Sequence, residues 1–143
     1  MIMNYRKENN HYFISLDPGD KINSSFEKFA GIESINCAWI HGIGAVTDLE
    51  MGFFNLPTKS YIRKNFNEDY ELTSLSGNIS IKDGNLFSHS HINFSDNNFN
   101  VYGGNLFEGE ISAAGEFILI VGENSINRKY DDFTGLALWC LDK

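Results

Sequence analysis

Two histidines separated by one residue are the clearest chemical signal in this sequence. His89 and His91 lie in the run LFSHSHINF, which alternates apolar and polar residues as a half-buried strand does. Imidazoles at i and i+2 lie on one strand face, with Cα atoms roughly 6.6 Å apart by the strand rise. Both can reach one ion, because imidazole is a common ligand of zinc and its neighbours. We therefore predict a site for zinc or another divalent transition metal at this pair.

A hairpin is predicted to hold these histidines. Asp83-Gly84 is a strong signal for a type I′ turn, which needs positive φ at both positions. The turn pairs Lys82 with Asn85 and places His89 and His91 on a polar face with Asn78 and Ser80. The opposite face is apolar and contains Leu75, Ile79, Ile81, Leu86, Ile92 and Phe94. A slip of one residue would exchange the two faces, so this clean separation supports the register.

A second turn returns the chain beside the histidines, with Phe94 predicted to pair with Phe99. This register alone would put the Asn105 amide on the apolar face. A bulge at Gly103-Gly104 would shift the register by one residue, since glycine adopts bulge geometry at little cost. With that bulge Asn105 lies opposite His89, and we predict that His89, His91 and Asn105 converge as a metal-binding patch.

Three more residues are candidates for ligand or interface contacts. Tyr102 lies opposite His91 in the predicted register, and Glu71 and Glu108 could add a carboxylate. The readings of the histidine pair stay open. It could be a polar strand face at a subunit interface, a weak metal or ligand site, or a catalytic metal site.

The charge balance bears on nucleic-acid binding. The 143 residues include 11 Lys and Arg against 19 Asp and Glu, a net charge of −8 at pH 7. DNA binding rests largely on basic side chains that neutralise phosphates, so direct binding of duplex DNA by this chain alone is disfavoured. Motifs for a nucleophilic serine, a phosphate-binding loop or a dinucleotide are absent. A non-enzymatic role is therefore favoured over an enzymatic one.

Length and composition predict one packed domain over residues 1–143, with 42% hydrophobic and 14% aromatic residues and a polar segment at about 1–10. This segment lacks the apolar stretch of a signal peptide, and no apolar run is long enough to cross a membrane. We therefore expect a cytoplasmic protein with no membrane partner. Cys37 and Cys140 lie in apolar runs and are predicted to be buried free thiols.

The remaining elements follow from periodicity. Apolar residues at i, i+4, i+7 and i+8 predict a helix over about 19–30, with Asp17 as a candidate N-cap. Strands are predicted over residues 12–16, 37–43, 46–54, 61–66, 111–121 and 136–141, and a polar loop over 122–132. Many strands around one clear helix predict an α+β fold with a largely antiparallel sheet.

Several segments in order resemble one family. LSGNIS, DG, HSHINF and YGGNLFEG, with GIGAVTDLEMGFFN before them and TGLALWCL after them, are similar to the plants-and-prokaryotes-conserved (PPC) domain over roughly residues 17–141. The resemblance implies a sheet of seven to eight strands with one or two flanking helices, in a layout similar to acetolactate decarboxylase. It also implies a homotrimer and a DNA-binding-like protein.

The same resemblance implies roles for particular residues. Some PPC-like proteins and acetolactate decarboxylases carry a third histidine at the position of Asn105, whose amide is a weaker zinc ligand. Glu71 lies in a segment similar to one that supports partner interactions in plant relatives, and the basic AT-hook of those relatives is missing here. Two hypotheses follow: a homotrimeric interaction module working with DNA or a DNA-associated protein, or a metal-dependent enzyme or small-molecule-binding protein that uses His89 and His91.

Overall fold

The computed structural model describes residues 4–141, which form nine strands and one helix. Their bounds are β1 Asn4–Glu8, β2 His11–Leu16, α1 Ile22–Glu33, β3 Ala38–Asn55, β4 Ser60–Phe66, β5 Tyr70–Lys82, β6 Asn85–Ser95, β7 Val101–Val121, β8 Asn127–Asp131 and β9 Leu136–Cys140. The α+β class is confirmed, but the strands outnumber the seven to eight expected. The sheet is mixed, since β8 joins β5 in parallel at Asn127 and Ile81. The acetolactate-decarboxylase-like layout stays a prediction.

The long strands β3 and β7 form the centre of the fold. Each was predicted as two shorter strands, but each is one continuous strand. The strand β3 continues through irregularities such as the register shift between Gly42 and Gly44, where a break was predicted. β3 pairs with β5 and β7, and β6 also pairs with β5 and β7. These four strands therefore close into a ring, and the side chains that point inward build the core.

The core is apolar and is covered on one side by α1. Its largest fully buried side chains are Phe26, Phe29, Phe94, Leu16, Ile22, Ile40, Leu49, Leu72, Leu75, Ile79, Ile111 and Leu119. The helix contributes Phe26, which meets the ring of Phe117 edge-on at 5.0 Å, and Phe29, which meets Tyr12 at 5.1 Å. Such edge-to-face pairs add to the stabilisation from burial. Among the described residues no helix is long and apolar enough to span a membrane.

Two strands lie where the sequence predicted none. β1 occupies the segment expected to precede the fold and pairs with β2 from Asn4–Ser15 to Glu8–His11; residues 1–3 lie outside the described part. β8 occupies the predicted loop at 122–132 and pairs with β9. Both strands are short and rich in polar residues, so their hydrophobic pattern is weak. Pairing with an apolar neighbour stabilises them instead.

The helix begins and ends three residues later than predicted. Its N-cap is Lys21, which makes no capping hydrogen bond, and it ends at Ser34 in the left-handed conformation. Asp17 does not cap it, because the Asp17 N–H donates to the Asp20 carboxylate (2.9 Å) in a turn before the helix. Cys37 is partly buried, but Cys140 is exposed, so its predicted burial is wrong.

The first predicted hairpin is confirmed and the second is wrong. Lys82 pairs with Asn85, as the Asp83-Gly84 turn required. Phe94, however, pairs with Tyr102 rather than Phe99, and β6 and β7 run in continuous register with no bulge between them. The connecting turn is longer than expected because Asp96 organises it: the Asp96 carboxylate accepts the N–H groups of Asn98 (2.9 Å) and Asn100 (3.0 Å).

Candidate functional site

The predicted patch forms, but with a different register. Asn105 pairs with His91 rather than with His89, and Tyr102 pairs with Phe94 rather than with His91. The rings of His89 and His91 lie 5.0 Å apart in an edge-to-face arrangement. His89 and Asn105 line the same pocket, and the Asn105 side chain acts to raise the pKa of His89. The three predicted residues therefore share one site on the outer side of the strands, away from the core.

A pocket of about 610 Å³ opens at this patch. One wall is formed by residues of β3, β4, β5, β6 and β7, and the β8–β9 hairpin supplies the other. Its lining is largely aromatic and aliphatic, with a few cationic and polar groups: Gly52, Phe53, Phe54, Tyr61, Lys82, Phe87, Ser88, His89, His91, Gly104, Asn105, Leu106, Phe107, Arg128, Leu136, Ala137 and Leu138. The volume and the apolar lining are those of a small-molecule site.

Arg128 is the residue that sequence reasoning missed. It projects from β8 and donates to Ser80 Oγ (2.7 Å), Asn78 Oδ1 (2.9 Å) and the Ala137 carbonyl (2.9 Å). These bonds explain why Asn78 and Ser80 are buried although they lie on the face that was predicted to be polar. One feature of the sequence indicated the hairpin that carries Arg128. The apolar run 136–141 was predicted to be a strand, a strand needs a pairing partner, and the segment before it is close enough to pair.

The ionisation of His89 follows from this setting. Burial lowers the pKa of His89 to about 4, and the charge of Arg128 and the His91 ring act in the same direction. His89 is therefore neutral at pH 7. Arg128 Nη2 lies 3.4 Å from His89 Nδ1. A guanidinium has no acceptor atom, so Nδ1 must accept and Nε2 carries the proton.

This donor set does not suit a tightly bound metal. A ligating imidazole offers a lone pair, but the Nδ1 lone pair of His89 faces a cation and Nε2 is protonated. Asn105 supplies an amide rather than a third imidazole. Among the described residues no group of three or more His, Cys, Asp or Glu is placed to hold an ion. His91 and Asn105 could still ligate, so the predicted zinc site depends on displacing Arg128 from His89.

The other three candidates lie outside the pocket lining. Glu108 binds the start of α1, where its carboxylate accepts the N–H groups of Asn23 (2.9 Å) and Ser24 (3.0 Å). It therefore replaces the missing N-cap of the helix. Tyr102 donates its hydroxyl to Asp96 (3.2 Å) in the turn after β6. Glu71 is exposed on β5, where an interface contact stays a prediction.

A second surface lies on the outer side of β2, β3 and β7. We call it the outer patch; it consists of Phe13, Trp39, Ile43 and Ile120, which are 43%, 46%, 52% and 41% exposed. Trp39 pairs with Ile120 across β3 and β7, so the two side chains are neighbours. Next to them His41 is exposed, with Nδ1 3.3 Å from Ser76 Oγ. A contiguous exposed apolar surface marks an interaction site more often than a single exposed side chain does.

Comparison with known proteins identifies the class of this fold and site. The family model of the Plants and Prokaryotes Conserved (PCC) domain matches residues 3–125. The chain belongs to this family, which is the same family as the PPC domain, so the resemblance predicted from the sequence motifs is confirmed. None of the curated proteins compared with the chain matches it.

Solved structures agree with this assignment. A protein of Bacteroides thetaiotaomicron named a "putative DNA binding protein" is 31% identical, with 96% of each chain covered and a TM-score of 0.92. A PPC protein of Pyrococcus horikoshii is 32% identical, covering 99% of this chain and 96% of its own, with a TM-score of 0.86. A metal-containing protein of Archaeoglobus fulgidus is 33% identical, with 99% of each chain covered and a TM-score of 0.86.

Proposed function

We propose that this protein is a non-enzymatic, homotrimeric PPC-domain interaction module that associates with DNA through a DNA-associated partner. The observation that carries the proposal is the outer patch. Large apolar side chains exposed on adjacent strands lose contact with water when another surface covers them, which is favourable by roughly 25 cal/mol per Å². We propose copies of the same chain as the cover, because the family resemblance implies a homotrimer.

The charges support an indirect association with DNA. The net charge is −8, and three of the basic side chains are engaged in ion pairs: Arg6 with Glu8, Lys21 with Glu110 and Arg63 with Glu50. Arg128 points into the pocket. The remaining lysines are outnumbered by the 19 Asp and Glu, which repel the phosphates whose neutralisation supplies most of the affinity of non-specific DNA binding.

Light scattering tests the assembly. We expect a mass near three times the 16.2 kDa of one chain at micromolar concentration, and a monomer for Trp39→Glu, which places a charge in the outer patch. Trp139→Glu is the matched control, since Trp139 on β9 is also exposed (41%) but lies outside the patch. A monomeric wild type would overturn the homotrimer. A trimeric Trp39→Glu variant would overturn the proposed interface.

A gel-shift titration tests the DNA association. At low salt we expect no retardation of duplex DNA by this protein alone. Retardation that weakens steeply with added salt would show direct phosphate contacts and would contradict the indirect mode. The name of the Bacteroides relative supports a DNA-linked role but does not distinguish the two modes.

The alternative is a metal-dependent enzyme that uses His89 and His91. The description of the Archaeoglobus relative as metal-containing supports it, whereas the contact between Arg128 and His89 and the amide of Asn105 weigh against it. Metal analysis after purification without chelator separates the two functions. Less than about one-tenth equivalent of any transition metal would count strongly against the enzyme.

A further inference from the structure

Arg128 has a positive charge that no carboxylate in the described part of the chain balances. Its hydrogen bonds go to Ser80, Asn78, the Ala137 carbonyl and His89, all of them neutral groups. These partners use four of the five N–H groups of the guanidinium, and one on Nη1 is left. A partly buried cation without a counter-charge is unfavourable, and an anion that enters the pocket would remove that cost.

The pocket around Arg128 has the polarity of an anion site. Lys82 is a second cation in the lining, with its ammonium 4.7 Å from the centre of the Phe87 ring. The Arg128 guanidinium lies 5.3 Å from the same ring. None of the described residues that line the pocket is Asp or Glu. This is a cationic pocket in a protein whose net charge is −8.

The walls select the rest of the ligand. Phe53, Phe54, Tyr61, Phe87 and Phe107 contribute aromatic rings to the lining. Tyr61 and Phe107 meet edge-on, with ring centres 4.9 Å apart. Flat apolar groups pack well against such surfaces. An inorganic anion would leave most of this area unused.

We propose that the pocket binds a small organic carboxylate with a planar apolar body. The carboxylate binds between Arg128 and Lys82, because the free Nη1 N–H and the Lys82 ammonium can each form a charge-assisted hydrogen bond with a carboxylate oxygen. The planar body lies against the aromatic wall. The same cations disfavour a metal ion in the pocket. This inference does not depend on the homotrimer or on DNA association, since every residue it uses belongs to one chain.

Calorimetry with benzoate and benzyl alcohol tests the proposal at constant ionic strength. The two probes share a ring and differ in charge, so the difference isolates the carboxylate. We expect benzoate to bind at least tenfold more tightly. Equal binding of the two probes, or no binding of benzoate at millimolar concentration, would overturn the proposal.

Substitutions on the β8–β9 hairpin locate the site. We expect Arg128→Gln to weaken benzoate binding at least tenfold. Lys129→Gln removes the same charge from the neighbouring exposed position and should leave binding unchanged. If Arg128→Gln does not fold, Lys82→Gln gives the test, with an expected loss of about threefold. Equal benzoate affinity in the wild type and the folded pocket variants would overturn the assignment to Arg128 and Lys82.

Discussion

Strand β6 separates two polar clusters that are built in opposite ways. On the core side, Asn23 of α1 donates to the carbonyls of Leu106 (3.0 Å) and Phe107 (3.1 Å) and accepts from Ser88 and Ser90 (both 3.0 Å). All four hydrogen-bonding sites of the amide are used, and no member carries a charge. A cluster of this kind fixes the packing of helix on strand and leaves no group for a ligand.

On the outer side, the alternate residues of β6 meet Arg128. His89 faces the guanidinium at 3.4 Å, and His91 faces Asn105 across the strands. This cluster contains an unbalanced cation and opens into a pocket. A neutral polar group whose hydrogen-bonding sites are all used, such as the Asn23 amide, therefore indicates a structural role. An unbalanced charge beside a cavity, such as that of Arg128, indicates a ligand-binding role.

The largest effect is expected from breaking the core-side cluster. Asn23→Ala leaves two carbonyls and two serine hydroxyls without their partner, and each buried unsatisfied group costs about 1–3 kcal/mol. Because such losses are not additive, we expect a decrease of about 3–5 kcal/mol in the free energy of unfolding, measured with urea. Asn65→Ala, at an exposed position on β4, is the control. A loss below about 1 kcal/mol for Asn23→Ala would contradict the structural role.

A smaller loss is expected where β7 passes close to β3. A Cβ atom at Gly104 would lie 2.9 Å from the Gly52 carbonyl oxygen, so the reason for the glycine is this contact and not the bulge predicted beside it. We expect Gly104→Val to reduce the free energy of unfolding by about 1–3 kcal/mol through overpacking.

Gly31→Ala is the contrasting glycine substitution. It lies in α1 and its Cβ would meet Leu86 at an ordinary 3.5 Å, so we expect it to be neutral or stabilising by about 0.5–1 kcal/mol. For Gly104→Val, by contrast, an unchanged melting temperature would contradict the overpacking argument, because it would show that β3 and β7 can separate to accommodate the side chain.

The polar cluster around His89 and His91 can be converted into a stronger metal site by one substitution. Asn105→His places a third imidazole opposite His91 and beside His89. We expect zinc to bind this variant at least about tenfold more tightly than the wild type, or roughly 1.4 kcal/mol. Titration calorimetry is the measurement, and the gain should disappear in a variant that also carries His89→Ala. A gain that survives this second change would mean that the three residues do not act together.

The smallest effect concerns the protonation of His89. Burial, the largest cause of the low pKa of about 4, persists in Arg128→Gln, but the repulsion from the guanidinium is removed. The pKa of His89 measured by NMR should therefore rise while staying below 6.5. Lys129→Gln should leave it unchanged, and no rise in Arg128→Gln would show that Arg128 does not act on His89.

The same shift makes the stability of the wild type depend on pH. Between pH 6.5 and about 4 the unfolded chain binds a proton at His89 that the folded chain does not. The His89 contribution to stability is therefore lost as the pH falls through this window. Urea unfolding of the wild type and His89→Gln across the window isolates this contribution, and parallel curves would contradict it.

The parts of the fold that local chemistry determines were predictable. The Asp83-Gly84 turn allows two residues between its strands, so every pair of the β5–β6 hairpin near it followed. The next turn depends on Asp96 binding the backbone several residues ahead, which no two-residue motif encodes. The register error in β6 and β7, and the wrong partner for Asn105, both come from this turn.

The candidate site was predictable only where one strand builds it. His89 and His91 share a face because they are two residues apart. Arg128 reaches them from a hairpin 39 residues further along the chain, and its strand has only five residues with a weak apolar pattern. Glu108 likewise binds a helix 84 residues earlier in the sequence. Contacts of this kind depend on tertiary packing, which periodicity does not report.

The closed ring of strands also has a consequence for the speed of folding. β3 and β7 meet through pairs as distant as Ala38 with Val121 and as close as Gly52 with Asn105, so even the nearest pair encloses three hairpin turns. The loss of chain entropy on closing such loops precedes the contacts that compensate for it. We therefore expect the β5–β6 hairpin to form early and the β3–β7 pairing late, with folding on the order of milliseconds to seconds, as is typical of topologies rich in distant contacts.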